Sequence, residues 1–348
     1  MDAQPLLDDV LATSEGLNPE VAQIVRQIAG VTCQLALVIG DGAIHGALSE
    51  VVEEPGHGDV QTRLDLAANR LLLEALQEAP VAALASEEDE ATVVLNEGEP
   101  FAVAIDPLDG SSNIDTNAPI GTIFAIRPMT AGGNGSAAST FLRPGTEQVA
   151  AGFVVYGPKT CLVLTLGHGT QIFTLDRRAE RYVLTCPEVR IPARRREYAI
   201  NASNYRHWDS AVQTYVDDLV AGVAGPRGAD FNMRWIASLV AEAFRILNRG
   251  GVFLYPADRR PGYGMGRLRL LYEAHPLAMV IEQAGGGAID GFNRILDVVP
   301  RDLHQRTPLI FGSADKVARV ASYYVDPPST SERSPLFGRR GLFYHPHR

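Results

Sequence analysis

Apolar positions along this chain switch repeatedly between a helical and a strand period, a pattern that predicts α/β architecture. Asn18 suits an N-cap, with Pro19 at the first helical position and Glu20 at the positive end of the helix. Val21, Ile24, Val25, Ile28, Cys33, Leu35 and Ile39 then recur at helical spacing, and Gly40 and Gly42 close the run. Ahead of it, residues 1–17 read as a loose arm. A mobile loop is expected over 43–58, and a second helix over 62–79 with Leu64, Ala67, Ala68, Leu71, Leu72 and Leu76 on its apolar side. Apolar runs predict strands at 81–85, 101–105, 121–126, 149–156, 161–166 and 171–175, with a long surface loop over 128–147.

The second half repeats the alternation. Strands are expected at 198–201, 252–255, 268–272 and 309–312, and helices at 210–220, 276–284 and 314–323. The most amphipathic stretch is 235–247, where Ile236, Leu239, Val240, Ala243, Phe244 and Leu247 fall at helical spacing. From Asp326 onward the chain is rich in Pro, Ser and Arg and reads as a mobile tail.

A chain of 348 residues calls for two domains or one large layered unit. The natural break lies at about 190–197, around the short basic run Arg194-Arg195-Arg196. The formal net charge of −10 argues against nucleic acid as the main partner, and no apolar run reads as a membrane span. The acidic amino terminus lacks a secretory pattern, and three scattered cysteines fit buried thiols in a reducing cytoplasm.

Candidate chemistry lies where the strand over 101–105 runs into Asp106-Pro107-Leu108-Asp109-Gly110-Ser111-Ser112. The two aspartates would sit at a strand's carboxyl end, where α/β sheets place ligands. Gly110 allows close backbone approach, and Ser111 and Ser112 offer amides and hydroxyls to an anion. Taken alone the stretch reads as an acidic turn. It gains weight from acids at other element ends: Asp59, Asp65, Glu87, Glu88 and Glu273. If those ends are neighbours, only cations let so many carboxylates share a site. Divalent metal and a phosphate ester are the natural partners, and hydrolysis the natural reaction.

Those motifs, with Gly251-Val252-Phe253-Leu254-Tyr255-Pro256, Leu268-Arg269-Leu270-Leu271-Tyr272-Glu273 and Leu303-His304-Gln305-Arg306, resemble class I fructose-1,6-bisphosphatase over about residues 20–325. The resemblance implies a layered α-β-α-β-α sugar-phosphatase sandwich with two domains, at 1–192 and 193–325, and a tail at 326–348. It implies two or three Mg²⁺ per subunit, held by Glu87, Asp106, the Leu108 carbonyl, Asp109 and Glu273, with Asp59 on a loop that closes over a metal. Asp65 and Glu88 would orient and deprotonate the attacking water. Asp109, Gly110, Ser111 and Ser112 would hold the 1-phosphate. Asn201, Tyr255 and Arg267 would hold the sugar and its distal phosphate, with Arg234 arriving from a neighbouring subunit of a homotetramer. The implied activity is release of the 1-phosphate of fructose 1,6-bisphosphate, in gluconeogenesis or the Calvin cycle. The alternatives are sedoheptulose 1,7-bisphosphate as main substrate, an inositol or nucleotide phosphatase, and a non-catalytic binder of metal and sugar phosphate.

Three departures from the family pattern bear on specificity and control. Arg267 stands where lysine is common, Trp235 where a tyrosine meets the distal phosphate, and Asn204 where tyrosine is frequent. Pro128 stands where an arginine contacts AMP, so weak or absent AMP inhibition is expected. The disulfide loop of the chloroplast enzyme is missing, since no cysteine lies between Cys33 and Cys161.

Overall fold

The computed structural model describes residues 4–45, 48–53, 61–130 and 137–326. Asp59 and the tail from 327 lie outside them. Five layers alternate helix and sheet. The outer helices are α1 (Leu7–Thr13), α2 (Pro19–Asp41) and α3 (Arg63–Gln77), with a ribbon of β1 (Val51–Glu53) and β2 (Gln61–Thr62) beside them. Asn18 caps α2 as its sequence predicts, its Oδ1 accepting the Glu20 N–H at 2.7 Å.

Below lies an eight-stranded sheet: β3 (Val81–Ser86), β4 (Val93–Val94), β5 (Phe101–Asp109), β6 (Ile120–Pro128), β7 (Ala150–Tyr156), β8 (Cys161–Thr165), β9 (Gln171–Asp176) and β10 (Arg181–Cys186). Its order is β10-β9-β8-β7-β6-β5-β3-β4, antiparallel except for the β3–β5 pair. A short α4 (Ala138–Phe141) follows β6. The second sheet has β11 (Glu197–Ala199), β12 (Asn232–Met233), β13 (Val252–Tyr255), β15 (Gly286–Ile289) and β17 (Leu309–Ser313), in the order β12-β11-β13-β17-β15. A small pair, β14 (Leu268–Arg269) and β16 (Arg306–Thr307), stands apart.

Alternation assigns the layers. Phe124, Ile126 and Val154 pack under α2 and α3, whereas Ile123, Ala125 and Phe153 face the central layer of α6 (Leu239–Arg249) and α7 (His275–Gln283). That central core also takes Phe253 and Phe311 from the second sheet. The opposite face of that sheet, with Tyr198, Leu254 and Ile310, is covered by α5 (Ser210–Val220) and α8 (Ala314–Val325). The expected layered sandwich is the fold.

Local expectations fail where a side chain answers to a distant partner. The amino-terminal arm contains a helix, because buried Leu7 and Leu11 anchor α1 and the Leu184 N–H donates to the Pro5 carbonyl at 2.9 Å. The end of the expected 128–147 loop holds α4, whose Phe141 is fully buried. In length and composition α2 is apolar enough to cross a membrane, contrary to the sequence reading, yet half of its most apolar stretch is buried inside the fold. The helix expected over 235–247 starts only at Leu239. Ser238 caps it, its Oγ accepting the Ala241 N–H at 3.3 Å, and Ala237 turns the chain at φ 62°. The strand expected over 268–272 ends after Arg269, and a π turn over Leu270–Ala274 carries Glu273 into α7.

Candidate active site

Asp106 and Asp109 are three residues apart, so a regular strand would send them to opposite faces of the sheet. The β5–β6 register is regular to Asp106 and resumes at Asp109 opposite Gly121, leaving an irregularity between. That bulge brings both carboxylates to one cleft. It is held by the Leu108 N–H, which donates to Asp106 Oδ1 at 3.0 Å, and by the Thr122 hydroxyl, which donates to the Pro107 carbonyl at 2.9 Å. Gly121 is obligatory beside it, because an added Cβ would lie 2.3 Å from the Val154 carbonyl and 2.6 Å from Val240. Opposite, the Val240 N–H near the start of α6 donates to Asp109 Oδ2 at 3.1 Å.

The π turn supplies the third acid. Carboxylate oxygens of Asp106, Asp109 and Glu273 lie within 4.8 Å of one another. They line a cleft of about 560 Å³ together with Asp65, Glu87, Glu88, Gly110, Ser111 and Ser112. Glu87 and Glu88 occupy the turn after β3, where the Glu87 N–H donates to the Ile105 carbonyl at 3.0 Å and the Glu88 N–H to Ser86 Oγ at 3.3 Å. Asp65 closes a capping box at the start of α3: its Oδ2 accepts the Thr62 N–H at 2.7 Å and hydroxyl at 2.9 Å. Gly110 takes the left-handed conformation at φ 79° and leads into a tight turn carrying the two serines. Hard oxygen donors converging this closely fit a divalent cation.

The charges confirm the crowding. Burial first, then Glu87, Asp109, Glu273 and Glu88, push the Asp106 pKa well above the carboxylate range. Burial raises Asp109 to about 6 against the opposing hydrogen bond from Val240. Glu273 is likewise raised, by burial and by Glu87 and Asp109. Asp65 is raised by burial, with Thr62 and Ser111 pulling it back down.

Sequence reasoning gave no role to Arg269, which the structure puts at the centre of this network. Its Nε donates to Glu87 Oε1 at 3.2 Å, its N–H to Glu273 Oε2, and its Nη1 to the His304 carbonyl at 3.0 Å. The available signal was an arginine four residues before the last acid, a spacing that brings backbone and carboxylate together only because the intervening turn is π.

Aromatic rings wall the rest of the cleft. Trp235, Phe253 and Tyr255 stack nearly parallel, with ring centroids 5.8–6.2 Å apart and planes within 13°. Asn201 and Arg267 line the same cleft. Asn113 ties this wall to the serine turn, its Nδ2 donating to the Ala237 carbonyl at 2.9 Å. Every described residue expected at the site lines this cleft except Arg234. That side chain is more than half exposed, with its Nε 3.8 Å from Glu197 Oε1.

A buried carboxylate cluster beside a serine-bearing turn, on a five-layer α/β frame, fits a phosphoric monoester hydrolase of the sugar-phosphatase type. Residues 25–187 match the family described as fructose-1-6-bisphosphatase, N-terminal domain, and 191–325 its C-terminal domain. A fructose-1,6-bisphosphatase class 1 of Rhodopseudomonas palustris (strain BisA53) is 54% identical over 333 residues, 95% of each chain. One of Methylorubrum extorquens is 53% identical over 339 residues, 97% of each. The crystal structure of Leishmania major fructose-1,6-bisphosphatase in holo form superposes with a TM-score of 0.86 at 34% identity, covering 93% of this chain and 99% of that one. This chain belongs to the class 1 fructose-1,6-bisphosphatase family.

Proposed function

We propose that the chain hydrolyses the 1-phosphate of fructose 1,6-bisphosphate with Mg²⁺ held at the carboxylate cluster. The convergence of Asp106, Asp109 and Glu273 within 4.8 Å carries this reading. Glu87, Asp106, the Leu108 carbonyl, Asp109 and Glu273 would hold two or three ions; Asp59, expected as a further ligand, lies outside the described residues. Bound metal supplies Lewis acidity, lowering the pKa of the attacking water and neutralising charge on the phosphate. Asp65 and Glu88 orient that water in line with the leaving oxygen and take its proton; a raised pKa suits Asp65 to the task. Ser111 and Ser112, with the Gly110 turn, hold the 1-phosphate, while Asn201, Tyr255 and Arg267 hold the sugar and distal phosphate. The exposed Arg234 serves a neighbouring subunit's cleft in a homotetramer.

Asp109→Ala and Glu87→Ala should each abolish Mg²⁺-dependent phosphate release from fructose 1,6-bisphosphate while the far-UV spectrum stays unchanged. Undiminished turnover would remove the mechanism. The stacked Trp235 favours a second reading, in which a wall without a tyrosine hydroxyl also accepts sedoheptulose 1,7-bisphosphate. The ratio of kcat/KM for the two sugars decides between them.

A further inference from the structure

Glu197 is 1% exposed, yet four guanidinium groups surround it. Its Oε1 accepts Arg195 Nη2 at 2.6 Å and Arg249 Nη2 at 2.9 Å and lies 3.8 Å from Arg234 Nε, while Oε2 accepts Arg245 Nη1 at 3.2 Å. Arg245 also holds fully buried Glu242 through its Nε at 2.8 Å, and Glu242 Oε1 in turn accepts the Ile236 N–H at 2.8 Å. Backbone pairing adds to this, since the Arg234 N–H donates to the Tyr198 carbonyl at 2.8 Å. The segment from Arg234 to Ser238 is thus fixed from below by a buried ionic network and from the front by Asn113.

That segment faces two ways. Trp235, Ala237 and Ser238 line this chain's cleft, whereas Arg234 points out of it. Four arginines against two glutamates leave the patch net positive, which suits a phosphate dianion. Without a central anion, the guanidinium groups would repel one another and Arg234 would lose the charge that orients it.

We infer that Glu197 is a positioning residue for recognition of the distal phosphate, acting through Arg234. The inference rests on the reading that Arg234 serves a neighbouring cleft. Glu197 touches neither substrate nor metal; its effect is to hold one guanidinium in register with a phosphate that another subunit binds.

The test compares Glu197→Gln, Glu197→Asp and Arg234→Ala in the intact oligomer. Glu197→Gln should raise KM for fructose 1,6-bisphosphate about tenfold with kcat within about twofold, as expected for a charge-assisted binding contact. It should leave kcat/KM for fructose 1-phosphate, which lacks the distal group, unchanged. Glu197→Asp, which keeps the charge, should recover part of the KM and carries the same comparison if the glutamine variant does not fold. Equal losses on both substrates, or an unmoved KM for the bisphosphate, would overturn the inference. If Arg234→Ala raises KM and the Glu197 variants do not, the inference alone fails. If Arg234→Ala also leaves KM unmoved, the underlying reading of Arg234 fails with it.

Discussion

On the proposed reading three demands meet at Asp109: a metal to hold, a phosphate to border, and the N–H of Val240 at a helix start to accept. Its pKa of about 6 is the chemical consequence of burial, which outweighs the hydrogen bond from Val240. A carboxyl raised in the folded state binds a proton there that the unfolded chain has already released, so stability falls as pH rises from about 4 to above 6. Without metal, Asp109→Asn removes this penalty. In chelator, the variant's Tm should match wild type below about pH 4 and exceed it above about pH 6, the window being set by the ordinary aspartate pKa and the raised one. Saturating Mg²⁺ should reverse the order at neutral pH, because the variant lacks a ligand. Parallel Tm curves across the pH series would refute the assignment. Asp106, Asp109, Ser111 and Ser112 were legible as one motif. Arg269 was not, since its role depends on partners 182 residues away in Glu87 and 35 away in His304.

Elements bring those residues together through irregularities. The β5 bulge, the π turn before α7 and the delayed start of α6 each occur where a regular element would turn a side chain away. Gly121 is the junction of two of them, beside the bulge and against Val240 of α6. Gly121→Ala should destabilise the fold by about 2 kcal/mol or more through overpacking against a backbone carbonyl. It should also lower kcat, since pushing α6 away breaks the Val240–Asp109 hydrogen bond. Urea denaturation and phosphate release check the two effects, and a variant with wild-type stability would contradict the packing argument. Periodicity located the long helices and the meander well, because each buries one face. It misplaced the start of α6, because Ile236 continues the apolar rhythm although Ala237 has already left helical geometry.

For the whole molecule, one central layer of α6 and α7 is shared by both sheets, so the halves of the chain are joined by a continuous core. Asp106 and Asp109 on β5 and Glu273 on the π turn therefore sit on elements packed from both sides. Removing metal with a chelator should abolish turnover while leaving the far-UV spectrum intact, and added Mg²⁺ should restore activity. A chelator-induced loss of secondary structure would show that the ions organise the fold as well. Control from outside the cleft is a separate matter. Pro128 ends β6 in the position where AMP-sensitive relatives are expected to carry an arginine, so a titration with AMP should show weak inhibition or none. Inhibition at micromolar AMP would overturn that expectation.

Much of this protein was written locally. The alternation of helix and strand, the serine-bearing turn and the set of acids follow from side-chain period and residue chemistry, which act over a few neighbouring positions. Tertiary structure alone decided that Asp106 and Asp109 face one way, that Glu273 joins them, that Arg269 lies between Glu87 and Glu273, and that Arg234 turns from its own cleft towards Glu197. These outcomes depend on packing and charge between residues far apart in sequence, and no local pattern encodes a distance between them.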